Sequence, residues 1–146
     1  MEKTYNYLLK VEYDGTNYSG WQYQKNGRSI QEKIENALYK LLKIKIRIIG
    51  AGRTDKGVHA FGQYANFKIN RKIENEKSFL NSLNFFLRKN LISIISIKRK
   101  NSMFHSRHSA KERFYEYLPA INAKYVKPLS VKISMQTTKD LFLKVD

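Results

Sequence analysis

Apolar patterns of strand and helix type follow one another along this chain in the order β-α-β-β-α-β plus one further strand, and that order predicts an α+β fold. Two observations narrow it. Each helical segment carries a single apolar stripe, so both helices are expected on one face of an antiparallel sheet. A glycine-rich loop joins the second and third strand patterns, at one end of that sheet. Together they give a ferredoxin-like, split-βαβ unit with its other sheet face left free for a ligand. At 146 residues the chain has room for one domain with a modest core.

The elements follow in order. Residues 7–13 alternate as a half-buried strand, with Leu9, Val11 and Tyr13 on one face. Residues 14–28 form a loop rich in Gly, Asn, Gln and Ser. Ser29 reads as a helix N-cap, and Glu32 stands where a capping box places its acid. The helix after it puts Ile30, Ile34, Leu38, Leu41 and Leu42 on one stripe. Residues 45–51 and 58–69 read as two strands. A second helix runs from Asn75 to Leu87, with Phe79, Leu83, Phe86 and Leu87 on its apolar side. Residues 91–98 are a strand by their β-branched content, and residues 113–118 give a further short one. Pro119 breaks the pattern, so residues 1–118 are expected as an α+β unit and 119–146 as a basic, weakly periodic tail.

Charge points to a polyanionic partner. Lys and Arg number 28 against 12 Asp and Glu, a formal charge of +16, with 13% aromatic residues. Such a surface attracts phosphate independently of base sequence and in a salt-sensitive way. A generic lysine-rich bias would give the same totals. With no cysteine, disulfides and thiolate metal sites are excluded. His59, His105 and His108 lack helical i, i+4 ligand spacing, so no metal site is expected. No apolar run nears the roughly 20 residues that span a bilayer, and the N-terminal residues lack a signal-peptide core. A soluble, cytoplasmic protein is the expectation.

Residues 50–60, Gly-Ala-Gly-Arg-Thr-Asp-Lys-Gly-Val-His-Ala, concentrate the candidate chemistry. Asp55 stands between Arg53 and Lys56, and nearby cations favour the charged form of an acid. An ionised, well-placed carboxylate is a candidate nucleophile. A hairpin turn with a local hydrogen bond from Asp55 would use the same residues. The stretch is no phosphate loop of the NTPase kind, because it lacks the Gly-Lys-Ser/Thr ending.

The segment Gly52–Ala60 resembles the catalytic motif of tRNA pseudouridine synthases of the TruA type. Tyr13-Asp14-Gly15-Thr16 with Tyr18-Ser19-Gly20-Trp21-Gln22, Ser29-Ile30-Gln31-Glu32, and Phe104-His105-Ser106-Arg107 with Arg113-Phe114-Tyr115-Glu116-Tyr117 are similar to three further segments of that family, in the same order. The resemblance covers roughly residues 5–118. It implies an isomerase without a cofactor that turns uridine into pseudouridine at positions 38–40 of the tRNA anticodon stem-loop. It also implies Asp55 as nucleophile, Arg53 as an aid to base extrusion, and Tyr115 as the ring that stacks on the target base. From the residues alone, Arg53 reads equally as a solvated cation and Tyr115 as a core tyrosine. Tyr18, Trp21 and Gln22 read as loop packing, and His59 receives no proton-transfer role.

Members of that family are roughly twice as long, build their cleft from two similar halves on one continuous sheet, and are expected as homodimers. This chain carries the first half. The family's partner arginine for the aspartate, and the apolar wall of its uracil pocket, come from the other half. A truncated or frame-disrupted product is therefore expected, inactive by itself, retaining RNA binding, and prone to self-association through an open sheet edge.

Overall fold

A computed structural model of the chain describes residues 3–116 and 130–135. Its elements are β1 (Tyr5–Tyr13), α1 (Ile30–Leu42), β2 (Ile49–Gly50), β3 (Ala60–Ile69), α2 (Glu76–Leu87), β4 (Ile92–Lys100), the one-turn α3 (Ser106–Ser109), β5 (Ala110–Glu116) and β6 (Ser130–Met135). The main sheet has the order β2-β3-β1-β4, and every neighbouring pair is antiparallel. This is the α+β, ferredoxin-like arrangement that the sequence predicts.

Alternation along β1 decides what each sheet face does. Tyr7, Leu9, Val11 and Tyr13 point one way and are all buried. They meet Phe67, Ala65, Ile97, Ile94 and Ile92 across the ladder and join the stripes of both helices in one core. Ile30, Ile34 and Leu38 come from α1, and Phe79, Leu83 and Leu87 from α2. Full burial of such side chains contributes about 1.5–3 kcal/mol each. The helices pack on each other, and α2 lies along β4.

Helix ends follow local chemistry. Ser29 Oγ accepts from Glu32 N at 3.1 Å, the serine half of the expected capping box, while the Glu32 carboxylate makes no return bond among the described residues. Asn75 Oδ1 caps α2 in the same way, accepting from Ser78 N at 2.9 Å. Lys43 closes α1 in the left-handed region at φ 58°.

The opposite sheet face is not open throughout. Asn6, Leu8, Tyr64 and Asn66 lie there by register, and all four are buried. The segment after β4 covers part of it: Asn6 Nδ2 donates to the carbonyls of Asn101 and Phe104, at 3.0 and 2.8 Å. Around this covered middle stand Lys10, Lys68, Lys98 and Lys100, which share the same face. Burial, with Lys98 next in line, lowers the pKa of Lys100 below its ordinary value. The face expected to be free is thus a basic rim around a roofed centre.

Two details depart from the sequence pattern. Residues 45–48 are irregular, and only Ile49–Gly50 pair with β3. Within the expected tail, Ser130–Met135 forms β6, antiparallel to β5 and alongside β3. Residues 117–129 and 136–146 lie outside the described residues, and so does the expectation for Pro119 and most of the tail.

Candidate active site

The loop between β2 and β3 is held from behind, and its charged side chains face out. Gln63, on β3, grips the Gly52 peptide from both sides. Its Nε2 donates to Gly52 O at 2.6 Å, and its Oε1 accepts from Gly52 N at 3.3 Å and from Tyr64 N at 3.1 Å. Thr54 is buried, with its Oγ1 2.7 Å from Tyr13 OH at the end of β1. Thr54 O accepts from Trp21 N at 3.0 Å, and Asp55 O accepts from Val58 N at 3.2 Å. Between and beside these anchors, Arg53, Asp55 and Lys56 are exposed.

The 14–28 loop packs directly against this one, and two glycines make the approach possible. A Cβ at Gly15 would stand 2.0 Å from Val58 O. At Gly20 it would stand 2.6 Å from Thr54 O, on a backbone at φ +118° that side-chained residues rarely adopt. Gly57 N donates to Tyr18 O at 3.3 Å from the other side. Trp21 is buried with its ring tilted against Tyr13 at 6.0 Å, and Trp21 O and Gly20 O accept from Gln31 N and Ile30 N at the start of α1. Tyr18 and Trp21 therefore act as loop packing, as their sequence context suggests, and that packing sets the back wall of the site.

His59 supports the same wall. Gly15 N donates to His59 Nδ1 at 2.8 Å, and Asp14 Oδ1 lies 3.1 Å from that nitrogen. One ring nitrogen serves a single proton, so the Gly15 bond belongs to the neutral ring and an ion pair with Asp14 to the protonated ring. Asp14 also accepts from the Thr16 hydroxyl at 2.6 Å and from Thr16 N at 3.0 Å. The Thr16 bonds, with His59 adding a smaller effect, lower the Asp14 pKa from its ordinary value.

The Asp55 carboxylate makes no hydrogen bond or ion pair among the described residues. Arg53 and Lys56 flank it in sequence without pairing to it. Tyr115 lies on β5, but its side chain, like that of Tyr117, is outside the described residues. Two cavities flank the loop. One of about 490 Å³ is walled by Glu12, Asp14, His59, Arg88, Phe61 and Leu91 among others. The other, of about 330 Å³, includes Arg53 together with Arg47 and Arg107. Asp55 lines neither. The sequence motifs contain Thr54 and Arg107 without giving either a role, and Gln63 lies outside them. Gln63 reads there as one polar residue in a strand, and only its register beside Gly52 reveals its part. Among the described residues, no cluster of His, Asp and Glu could hold a metal, and no helix is long and apolar enough to cross a membrane.

The site is thus an exposed acid on a clamped, cation-flanked loop at one end of a split-βαβ sheet, in an α+β domain. The family model for tRNA pseudouridine synthase matches residues 10–109, and the chain belongs to that family. A protein named tRNA pseudouridine synthase A from Pelagibacter ubique (strain HTCC1062) is 46% identical over 114 residues, covering 78% of this chain and 46% of that protein. Proteins of the same name from Caldicellulosiruptor saccharolyticus and Wolbachia pipientis wMel are 43% and 39% identical, over 94% and 96% of this chain and 60% and 62% of their own lengths. Coverage of that extent reaches into residues 119–146. The chain spans about half the length of several relatives it matches.

Proposed function

We infer that the chain carries the Asp55-bearing part of a tRNA pseudouridine synthase, an isomerase acting on uridines 38–40 of the anticodon stem-loop. The observation that carries this reading is the exposed Asp55 on a loop fixed from behind, by Gln63 and Trp21 at its peptide groups and by Tyr13 at the Thr54 hydroxyl. A nucleophile gains most when its own position is settled before substrate arrives.

Two routes balance. In one, an Asp55 oxygen bonds to ribose C1′ as the N1–C1′ bond breaks; the uracil turns, C5 bonds to C1′, and the carboxylate leaves. In the other, the oxygen adds to C6 of the base, and the adduct carries the base through cleavage, rotation and rejoining at C5 before it collapses. In both, the C5 proton is lost, N1 gains one, and Asp55 is regenerated. The target base must first leave its stack. Arg53, exposed two residues before Asp55, is suited to fill the vacated space, and Tyr115 on β5 is suited to stack on the uracil. Work on cellular tRNA implies the cytoplasm, and association into a homodimer is part of the same reading.

The test supplies tRNA labelled with tritium at uracil C5. It compares the chain alone with the chain plus a polypeptide covering the remaining half of the Pelagibacter relative. Tritium release in the mixture that disappears with Asp55→Ala is the expected result. Release unaffected by that change would exclude Asp55 as nucleophile. If the mixture binds tRNA but releases no tritium, the second reading, an RNA-binding fragment without catalysis, is favoured. The basic rim of Lys10, Lys68, Lys98 and Lys100 supports that reading equally.

A further inference from the structure

The smaller cavity gathers cations from three separate segments. Arg47 reaches it from the stretch before β2, Arg53 from the Asp55 loop and Arg107 from α3. All three are exposed. The Arg47 guanidinium lies 6.0 Å from the ring centre of Tyr23, which is itself 46% exposed, and Trp21 is buried in the wall. No carboxylate lines the cavity among the described residues. Glu35 stands behind the wall, where its Oε1 accepts from Gln31 Nε2 and from Ile48 N, both at 3.0 Å.

The root of Arg107 is fixed. Ser106 N donates to Asn66 Oδ1 at 2.8 Å, and Asn66 Nδ2 donates to Asn6 Oδ1 at 3.0 Å. Asn6 in turn donates to the carbonyls of Asn101 and Phe104. This buried chain of amides ties α3 to the sheet, so Arg107 starts from a settled backbone. Positive neighbours crowd the same place: burial comes first, then His108, Lys68 and Arg107, in lowering the pKa of His105.

Guanidinium groups match phosphate oxygens in a two-pronged way that ammonium groups do not. Three of them around one open cavity suit an anion with several oxygens. A half-exposed ring beside it offers a stacking surface for a neighbouring base. We propose that the cavity between Arg47, Arg53 and Arg107 is a subsite for a backbone phosphate of the RNA strand next to the target nucleotide. Arg47, backed by Tyr23, and Arg107 are its two gripping side chains. This rests on the RNA-directed reading above and adds to it the place where the strand is held.

The test uses the full chain and a fluorescein-labelled anticodon stem-loop, with anisotropy followed across a salt series. Variants are Arg47→Ala with Arg107→Ala, and, as a control of equal charge change, Lys77→Ala with Lys89→Ala, both exposed and outside the cavity. Circular dichroism confirms that each variant is folded. The arginine pair is expected to lose on the order of tenfold in affinity. Its salt slope should become shallower by about 0.7 for each phosphate contact removed. The lysine pair should lose under about threefold, the generic effect of charge. Arg47→Lys should keep the salt slope and still lose affinity.

Equal losses in the arginine and lysine pairs would overturn the subsite and leave the isomerase reading standing, since tritium release reads Asp55 independently. Failure of the wild-type chain to bind the stem-loop would overturn both. Inorganic phosphate forms the last arm. The single tryptophan, Trp21, lies in the cavity wall and reports occupancy by its fluorescence. Millimolar phosphate that quenches Trp21 only when both arginines are present, while RNA affinity ignores them, would make this a site for free phosphate and overturn the assignment to RNA.

Discussion

The front and the back of the β2–β3 loop obey opposite rules. At the back, Gly52 and Thr54 are buried, and their polar groups are matched to Gln63, Tyr13 and Trp21. At the front, Arg53, Asp55 and Lys56 are exposed, and the Asp55 carboxylate has no partner among the described residues. Residues one position apart in sequence are thus devoted to stability or left available for chemistry. Changes at the front should remove function without cost to the fold, and changes at the back should do both.

The largest effect is expected at the front. Asp55→Asn keeps shape and removes charge, so tritium release by the chain with its complementing half should fall below detection. Stability should stay within about 0.5 kcal/mol, as for exposed positions without fixed contacts. RNA affinity should hold, because phosphate contacts carry most of it. A variant that lost its fold along with its activity would erase the distinction between front and back.

Gly20→Ala strikes the back. The new methyl would meet Thr54 O at 2.6 Å on a backbone at φ +118°, and both loops would have to part. A loss of about 3 kcal/mol is expected from strain and overpacking together, read as a lowered urea midpoint. Gln63→Ala should cost somewhat less, about 2 kcal/mol, because it strips both hydrogen bonds from the buried Gly52 peptide. Its more telling readout is turnover, which should drop even under conditions where the protein remains folded. Turnover unchanged in folded Gln63→Ala would show that the clamp serves stability alone.

Much of this architecture was legible because its causes are local. The stripe of Ile30, Ile34 and Leu38 and the cap Ser29 need only short-range periodicity and side-chain chemistry. The Asp55 loop was legible through its glycines and charges. What the sequence concealed depends on register between distant segments. Gln63 meets Gly52 only because β3 folds back on β2, and Asn6 meets Asn66 and Ser106 only through the β1–β3 pairing and the return of the chain after β4. The lysine face likewise looks unremarkable in sequence, since Lys10, Lys68, Lys98 and Lys100 become neighbours only across three strands. The roof over that face came from residues 101–106, which have no periodicity to announce them.

The smallest expected effect tests whether the wall behind the loop extends to Asp14. Its carboxyl accepts from the Thr16 hydroxyl and Thr16 N, and these bonds lower its pKa beneath the ordinary value of 3.8. A group whose folded pKa is depressed stabilises the fold fully above its unfolded value, and that contribution is lost as pH falls through the lower folded value. Asp14 is half exposed, so solvent screens the gain to no more than about 0.5 kcal/mol. Urea midpoints of the wild type and Asp14→Asn should therefore differ slightly and by a constant amount above about pH 5, and converge as pH drops well below 3.8. If the two midpoints instead diverge as pH falls, the Thr16 bonds do not carry the Asp14 contribution, and the wall behind the loop does not extend to Asp14 through them.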